Sequence, residues 1–254
     1  MVQHARAAPG SAAPPPLLSL QGVSRSFGAL KVTDRLDLVV ARGEALGIIG
    51  PNGAGKTTLM NLIAGDIAVD GGRILFDGRD VTALPPAARC RAGIARTYQV
   101  PNPFNGMTVF ENVLVGAIFG AGLAEKAARA EALDVLGRMG LADRADRLAG
   151  TLPLLDRKRL ELARALATRP RLLLLDEIAG GLTEREVAEL LDTIRAIRAE
   201  GVTIVWIEHI VHALLAVVDR LVALDFGRKV TEGEPQVVMA DPAVREIYMG
   251  IDVQ

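Results

Sequence analysis

The sequence predicts an α/β fold, with a phosphate-loop core, an antiparallel β subdomain and a mainly helical insertion near residues 100–155. Three observations carry this. A complete phosphate-binding loop, Gly50-Pro51-Asn52-Gly53-Ala54-Gly55-Lys56-Thr57, lies between an apolar run and a helix-like stretch. Two continuous apolar runs, residues 172–175 and 202–207, fit a parallel sheet buried on both faces. Between residues 113 and 147 the composition shifts to strong helix formers.

Taken in order, residues 18–20, 36–40 and 45–49 form short β-rich runs, and residues 58–64 have the texture of a helix. Residues 72–76 read as a strand ending in Asp77-Gly78, a strong turn signal. Residues 94–98 read as one more strand. Residues 125–139 form a helix with Gly140 as its C-terminal stop. Residues 184–199 form another, opened by a capping box of Thr183 with Glu186. Residues 1–16, rich in Ala and Pro, read as a disordered lead-in, and 17–250 as one domain followed by a 251–254 tail.

A net charge of −1 gives no sign of a nucleic-acid partner. The longest apolar candidate, residues 113–124, is about a dozen residues against the roughly 20 that span a bilayer. The lone Cys90 excludes an intrachain disulfide and reads as a small, partly buried apolar residue.

In the phosphate loop, Gly50, Gly53 and Gly55 let the backbone curl so that amides point at the β- and γ-phosphates, with Pro51, Asn52 and Ala54 filling the turn. The helix that follows adds its positive end, Lys56 a mobile cation and Thr57 a hydroxyl for Mg²⁺, with Thr58 next in line. ATP or GTP is the implied ligand. Asp176 and Glu177 end the 172–175 run, where Asp176 would support Mg²⁺ and Glu177 would polarise a water as general base. His209 follows the second apolar run, within reach of a γ-phosphate and an attacking water. Gln99 stands at the exit of the 94–98 strand, where it could reach metal or water.

These four motifs, in this order, resemble the ATPase subunits of ABC transporters, over residues 17–250. The resemblance implies a P-loop NTPase core of ABC ATPase type, with Gln99 as the Q-loop glutamine and His209 as the switch histidine. It also implies ATP with Mg²⁺ and an adenine-stacking role for Phe27. A narrower resemblance, carried by Arg96-Thr97-Tyr98-Gln99, residues 107–113, Ile207-Glu208-His209 and the 241–250 tail, is to the ATPases of branched-chain amino acid importers. It implies two membrane permease subunits, a second ABC ATPase subunit, a periplasmic solute-binding protein and a peripheral place on the cytoplasmic face of the plasma membrane. Two alternatives stand beside it: an ABC-type ATPase not coupled to transport, and an ATP-binding subunit with little hydrolysis of its own.

The sequence departs from the family at the signature. Leu152-Pro153-Leu154-Leu155-Asp156 stands where Leu-Ser-Gly-Gly-Gln is usual, losing a hydroxyl and an N–H at Pro153 and adding bulk at Leu154 and Leu155. Asp156 is expected to cap the following helix and to bring negative charge toward a polyanion. Such a signature favours a heterodimer with a partner ATPase. Residues 99–113, with Phe104 on a proline-stiffened loop, are expected to dock on the membrane subunits.

Overall fold

The computed structural model describes residues 15–249; the lead-in up to residue 14, Gly250 and the 251–254 tail lie outside the described residues. A six-stranded sheet forms the middle layer, with β3 (Ala45–Ile49) between β8 (Thr203–Ile207) and β9 (Arg220–Asp225). Beyond β8 lie β7 (Leu172–Asp176) and then β6 (Ile94–Arg96), and all these neighbours pair in parallel. Only β10 (Arg228–Gly233), at the far edge, runs antiparallel, against β9. A second sheet of β2 (Leu30–Val40), β1 (Leu18–Phe27), β4 (Gly71–Phe76) and β5 (Arg79–Asp80) is antiparallel throughout.

Strand periodicity divides the central sheet between two apolar cores. Leu46, Ile48, Leu172, Leu174, Val205 and Ile207 face the antiparallel sheet and helix α1 (Lys56–Ala64). Leu173, Leu175, Ile204 and Trp206 face the opposite way, into a core built with the helices between β6 and β7 and with α6 (Glu184–Ala199). Those helices are α3 (Val109–Val115), α4 (Glu125–Arg138) and α5 (Leu154–Leu166), with a π-helical turn at Gly116–Gly120. Both faces of the sheet being covered explains its unbroken apolar strands.

Local signals act as their chemistry dictates. Asp77 and Gly78 take φ of 52° and 72°, the two left-handed positions of a tight hairpin turn. Gly140 follows α4 at φ 67°. Thr183 and Glu186 make the reciprocal capping box of α6, and Thr108 with Glu111 makes another for α3. The strand expected over 94–98 stops at Arg96, although the Thr97 amide still donates to Leu174 O at 2.9 Å.

Asp156 does not cap α5. The N-cap is Pro153, with no side-chain cap bond, and Asp156 lies inside the first turn. Proline's fixed φ and missing N–H suit a helix start, so the helix begins earlier than the charge pattern implied. The Asp156 carboxylate is only 5 % exposed and pairs with Arg144 Nη1 at 2.7 Å. Its charge is turned inward and neutralised, not offered to a polyanion.

Candidate functional site

The phosphate loop leaves the C-terminal end of β3 and closes on α1. Gly50 and Gly55 sit at φ 153° and 96°, and a Cβ would lie 2.2 Å from Leu224 O at the first and 2.4 Å from Val32 O at the second. No side chain fits at either position. The Gly227 amide donates to Ala54 O at 3.1 Å, tying the turn between β9 and β10 to the loop. Lys56 is buried, and its ammonium donates to Gly50 O at 2.7 Å and Pro51 O at 3.0 Å. Burial lowers its pKa, against the opposing attraction of Glu177 and Asp176. Asn52, Gly53, Ala54, Thr57 and Thr58 line a cavity of about 180 Å³ with Lys56 and Glu177.

Asp176 and Glu177 leave the end of β7 with different environments. Asp176 is buried, which pushes its carboxyl pKa up, while Arg96 beside it pulls the other way. Glu177 takes φ 47°, a conformation costly for a residue with a Cβ, and its amide is held by Ile207 O at 2.8 Å. That backbone turn aims the carboxylate away from Asp176's partners. Its Oε1 lies 2.8 Å from His209 Nε2, and its Oε2 accepts a hydrogen bond from the Gln99 amide. Gln99, Glu177 and His209, far apart in sequence, thus meet at one carboxylate. His209 is 44 % exposed and Glu177 14 %, so the histidine is the solvent-side member.

Thr57, Gln99 and Asp176 line a second cavity, of about 550 Å³, with Arg96 and Tyr98. Their contributions are a hydroxyl, an amide and a carboxylate, and oxygen ligands of this kind suit a hard divalent cation. Phe27 is part-exposed on the β1–β2 hairpin, one ring face covered by the Arg25 guanidinium at 4.9 Å.

Two buried groups escaped sequence reasoning. Arg96 donates to Asp176 Oδ2 at 2.8 Å, and its place in Arg96-Thr97-Tyr98-Gln99, though part of the family resemblance, gives no sign of that partner. Glu208 accepts from the amides of His209 at 2.9 Å and Ala179 at 3.0 Å, joining the two loops that carry His209 and Glu177. Its place directly before His209 was the only available signal. Lys158 of α5 is buried too, its pKa lowered by desolvation, with Glu208 and Glu177 opposing.

In the signature segment, Leu152 and Leu155 are buried, while Leu154 is exposed next to Gly181. Arg157 folds back to donate to the carbonyls of Gly150 and Leu152, both at 2.8 Å.

Residues 33–180 match the family described as ABC transporter. The chain is 36 % identical to the high-affinity branched-chain amino acid transport ATP-binding protein BraF of Pseudomonas aeruginosa, over 92 % of this chain and 98 % of that protein. It is also 36 % identical, with the same coverage of both, to its counterpart LivG of Escherichia coli. Among solved structures, a nucleotide-free ATP-binding cassette from an ABC transporter superposes with a TM-score of 0.84 and 32 % identity, over 93 % of this chain and all of that one. The ADP conformation of an ATP-binding cassette gives the same TM-score and identity over 94 % of this chain and all of that one.

Proposed function

The chain belongs to the ABC transporter family as an ATP-hydrolysing subunit, and we propose that it drives import of branched-chain amino acids or similar small polar solutes. The family carries the ATPase; the names of its relatives support the cargo. One observation carries the mechanism: Glu177 lines the phosphate-loop cavity and is held from two sides, by Gln99 and His209.

In that geometry the Lys56 ammonium and the loop amides take the β- and γ-phosphates of ATP. A water is aligned against the γ-phosphorus and gives its proton to Glu177 as the new P–O bond forms and the bond to ADP breaks. The Gln99 amide and the His209 ring hold the carboxylate in one rotamer, which is the orientation that water must meet. Phe27 would stack on adenine with its uncovered face. Thr57, Asp176 and Gln99 would hold Mg²⁺, which supplies charge neutralisation at the phosphates when bound.

The partners we propose are two membrane permease subunits, with a periplasmic solute-binding protein acting through them, at the cytoplasmic face of the membrane. No helix among the described residues is long and apolar enough to cross a bilayer. Phe119, 71 % exposed, lines a cavity of about 380 Å³ with Tyr98 and Arg164, and Val100, 74 % exposed, lines the adjoining cavity of about 550 Å³ with Gln99. Such an apolar patch next to the residue that contacts Glu177 favours docking there. Phe104 packs under Arg164 at 4.8 Å. Phe104→Asp should keep its loop, since the new carboxylate finds that guanidinium, yet abolish uptake with ATP binding intact; unchanged uptake would count against this surface. ATP-driven leucine uptake by vesicles containing the chain and its permeases tests the whole reading, and ATP hydrolysis without uptake of any amino acid would overturn it.

The second ATPase subunit follows from the signature. With Pro153 and Leu154 exposed where a serine and a glycine normally meet phosphate, a homodimer would carry the defect in both sites. Loss of one charge-assisted contact costs about 1.5–3 kcal/mol, so we favour a heterodimer whose partner has an intact signature. The repair should be limited to Pro153→Ser with Leu154→Gly, because changing Asp156 would orphan Arg144. This pair should raise hydrolysis about tenfold or more at the site completed by this signature, and only there. Strong cooperative hydrolysis by the unmodified homodimer would show that the segment already works.

A further inference from the structure

The Arg96 side chain ties three elements of the site together, and hydrolysis as described above gives it no task. It ends β6 with a side chain only 7 % exposed. Nη2 donates to Asp176 Oδ2 at 2.8 Å, and Nη1 donates to Asp66 Oδ2 at 2.9 Å and to Asn61 Oδ1. Asn61 belongs to α1, the helix that Lys56 and Thr57 begin. One guanidinium therefore joins the acidic strand, the phosphate-loop helix and the strand leading to Gln99. It also lines the cavity shared by Thr57, Gln99 and Asp176, with its Nε buried and unpartnered.

Taking the Mg²⁺ site of Thr57, Gln99 and Asp176 as given, we propose that Arg96 is a positioning residue that clamps Asp176 by one oxygen and offsets its charge. The carboxylate then engages a divalent cation only when nucleotide arrives with the missing ligands. Among the described residues no group of three or more His, Cys, Asp or Glu side chains is gathered to hold a metal alone. Arg96, shared between Asp66 and Asp176, answers part of the charge of Asp176 and so weakens the attraction for a free dication. Phosphate oxygens restore it. By linkage, a clamp that weakens binding of the free metal more than binding of the metal together with ATP makes the affinity for each depend more on the other.

Arg96→Met keeps the apolar stem and removes the cation. With Mn²⁺ alone, followed by the loss of its free-ion paramagnetic resonance signal, this variant should bind about tenfold or more tighter than the parent. The gain in affinity for a fluorescent ATP analogue on replacing EDTA with Mg²⁺ should shrink in step. General damage to the site would not tighten metal binding. Arg96→Lys, which keeps the charge, should bind Mn²⁺ as the parent does, and Asp66→Asn, which frees Arg96 from its second carboxylate, should bind it no tighter than the parent. Mn²⁺ affinity unchanged in Arg96→Met, or raised equally in Asp66→Asn or Arg96→Lys, would overturn the role of Arg96. A parent chain whose ATP affinity ignores Mg²⁺ would overturn the metal site and this role together. Unaltered analogue affinity in EDTA shows that each variant is folded.

Discussion

Glu177→Gln is expected to bind ATP as well as the parent and to hydrolyse it at least about a hundredfold more slowly. The amide has the shape of the carboxylate but cannot take a proton from water. The surrounding contacts tolerate the change. Gln99 can still donate to the remaining carbonyl oxygen, and the His209 ring, by switching tautomer, can accept from the new NH₂. The left-handed backbone at position 177 is unaffected, since glutamine bears the same strain as glutamate. Loss of rate therefore reads as loss of the base and not of the site. Single-turnover hydrolysis in the assembled transporter, beside a binding titration, separates the two. Parental turnover would move the base elsewhere, with His209 the next group in contact.

The parts legible in the sequence are those whose signal is local. Unbroken apolar runs mark β7 and β8 because both faces of that sheet are covered, leaving no exposed position in either strand. Asp77-Gly78 announced its hairpin because both residues tolerate left-handed backbone. The hairpin of β9 and β10 turns on Phe226-Gly227 at φ 42° and 74°, and phenylalanine gives no such warning. There the tie of Gly227 to the phosphate loop, a contact distant in sequence, holds the turn. Arg96 and Asp156 were obscured for a related reason. A charged residue reads as solvated until a partner is known, and Asp176 and Arg144 are 80 and 12 residues away from them respectively. The local signal accordingly places Asp156 at the helix end, whereas it closes a buried ion pair inside the first turn. Gln99, Glu177 and His209 were each weak signals alone. What brings them together is strand order: β6, β7 and β8 are neighbours in the sheet, so their C-terminal ends deliver the three side chains to one edge.

Lys56→Ala should lower ATP affinity more than any other single change in the loop. Two effects combine. The first is direct: a buried ammonium that would pair with the β- and γ-phosphates disappears, and one such charge-assisted contact is worth about 1.5–3 kcal/mol. The second is architectural. Lys56 closes the loop on itself through Gly50 O and Pro51 O, so its removal frees the carbonyls that shape the turn. Gly50 and Gly55 keep the loop's left-handed geometry, but without that clasp their freedom becomes an entropic cost of binding. The two together set an expected loss of about a hundredfold or more. Lys56→Met controls for side-chain bulk, because its unbranched chain fills the same space without donating to either carbonyl or phosphate, and it should bind as weakly as alanine. Arg at this position keeps the charge but not the compact fit against Gly50 O, and should recover only part of the affinity. Titration of a fluorescent ATP analogue in EDTA, where no metal contributes, measures the loop alone. Near-parental affinity in Lys56→Ala would leave phosphate binding to the amides of residues 53–58 and remove Lys56 from the site.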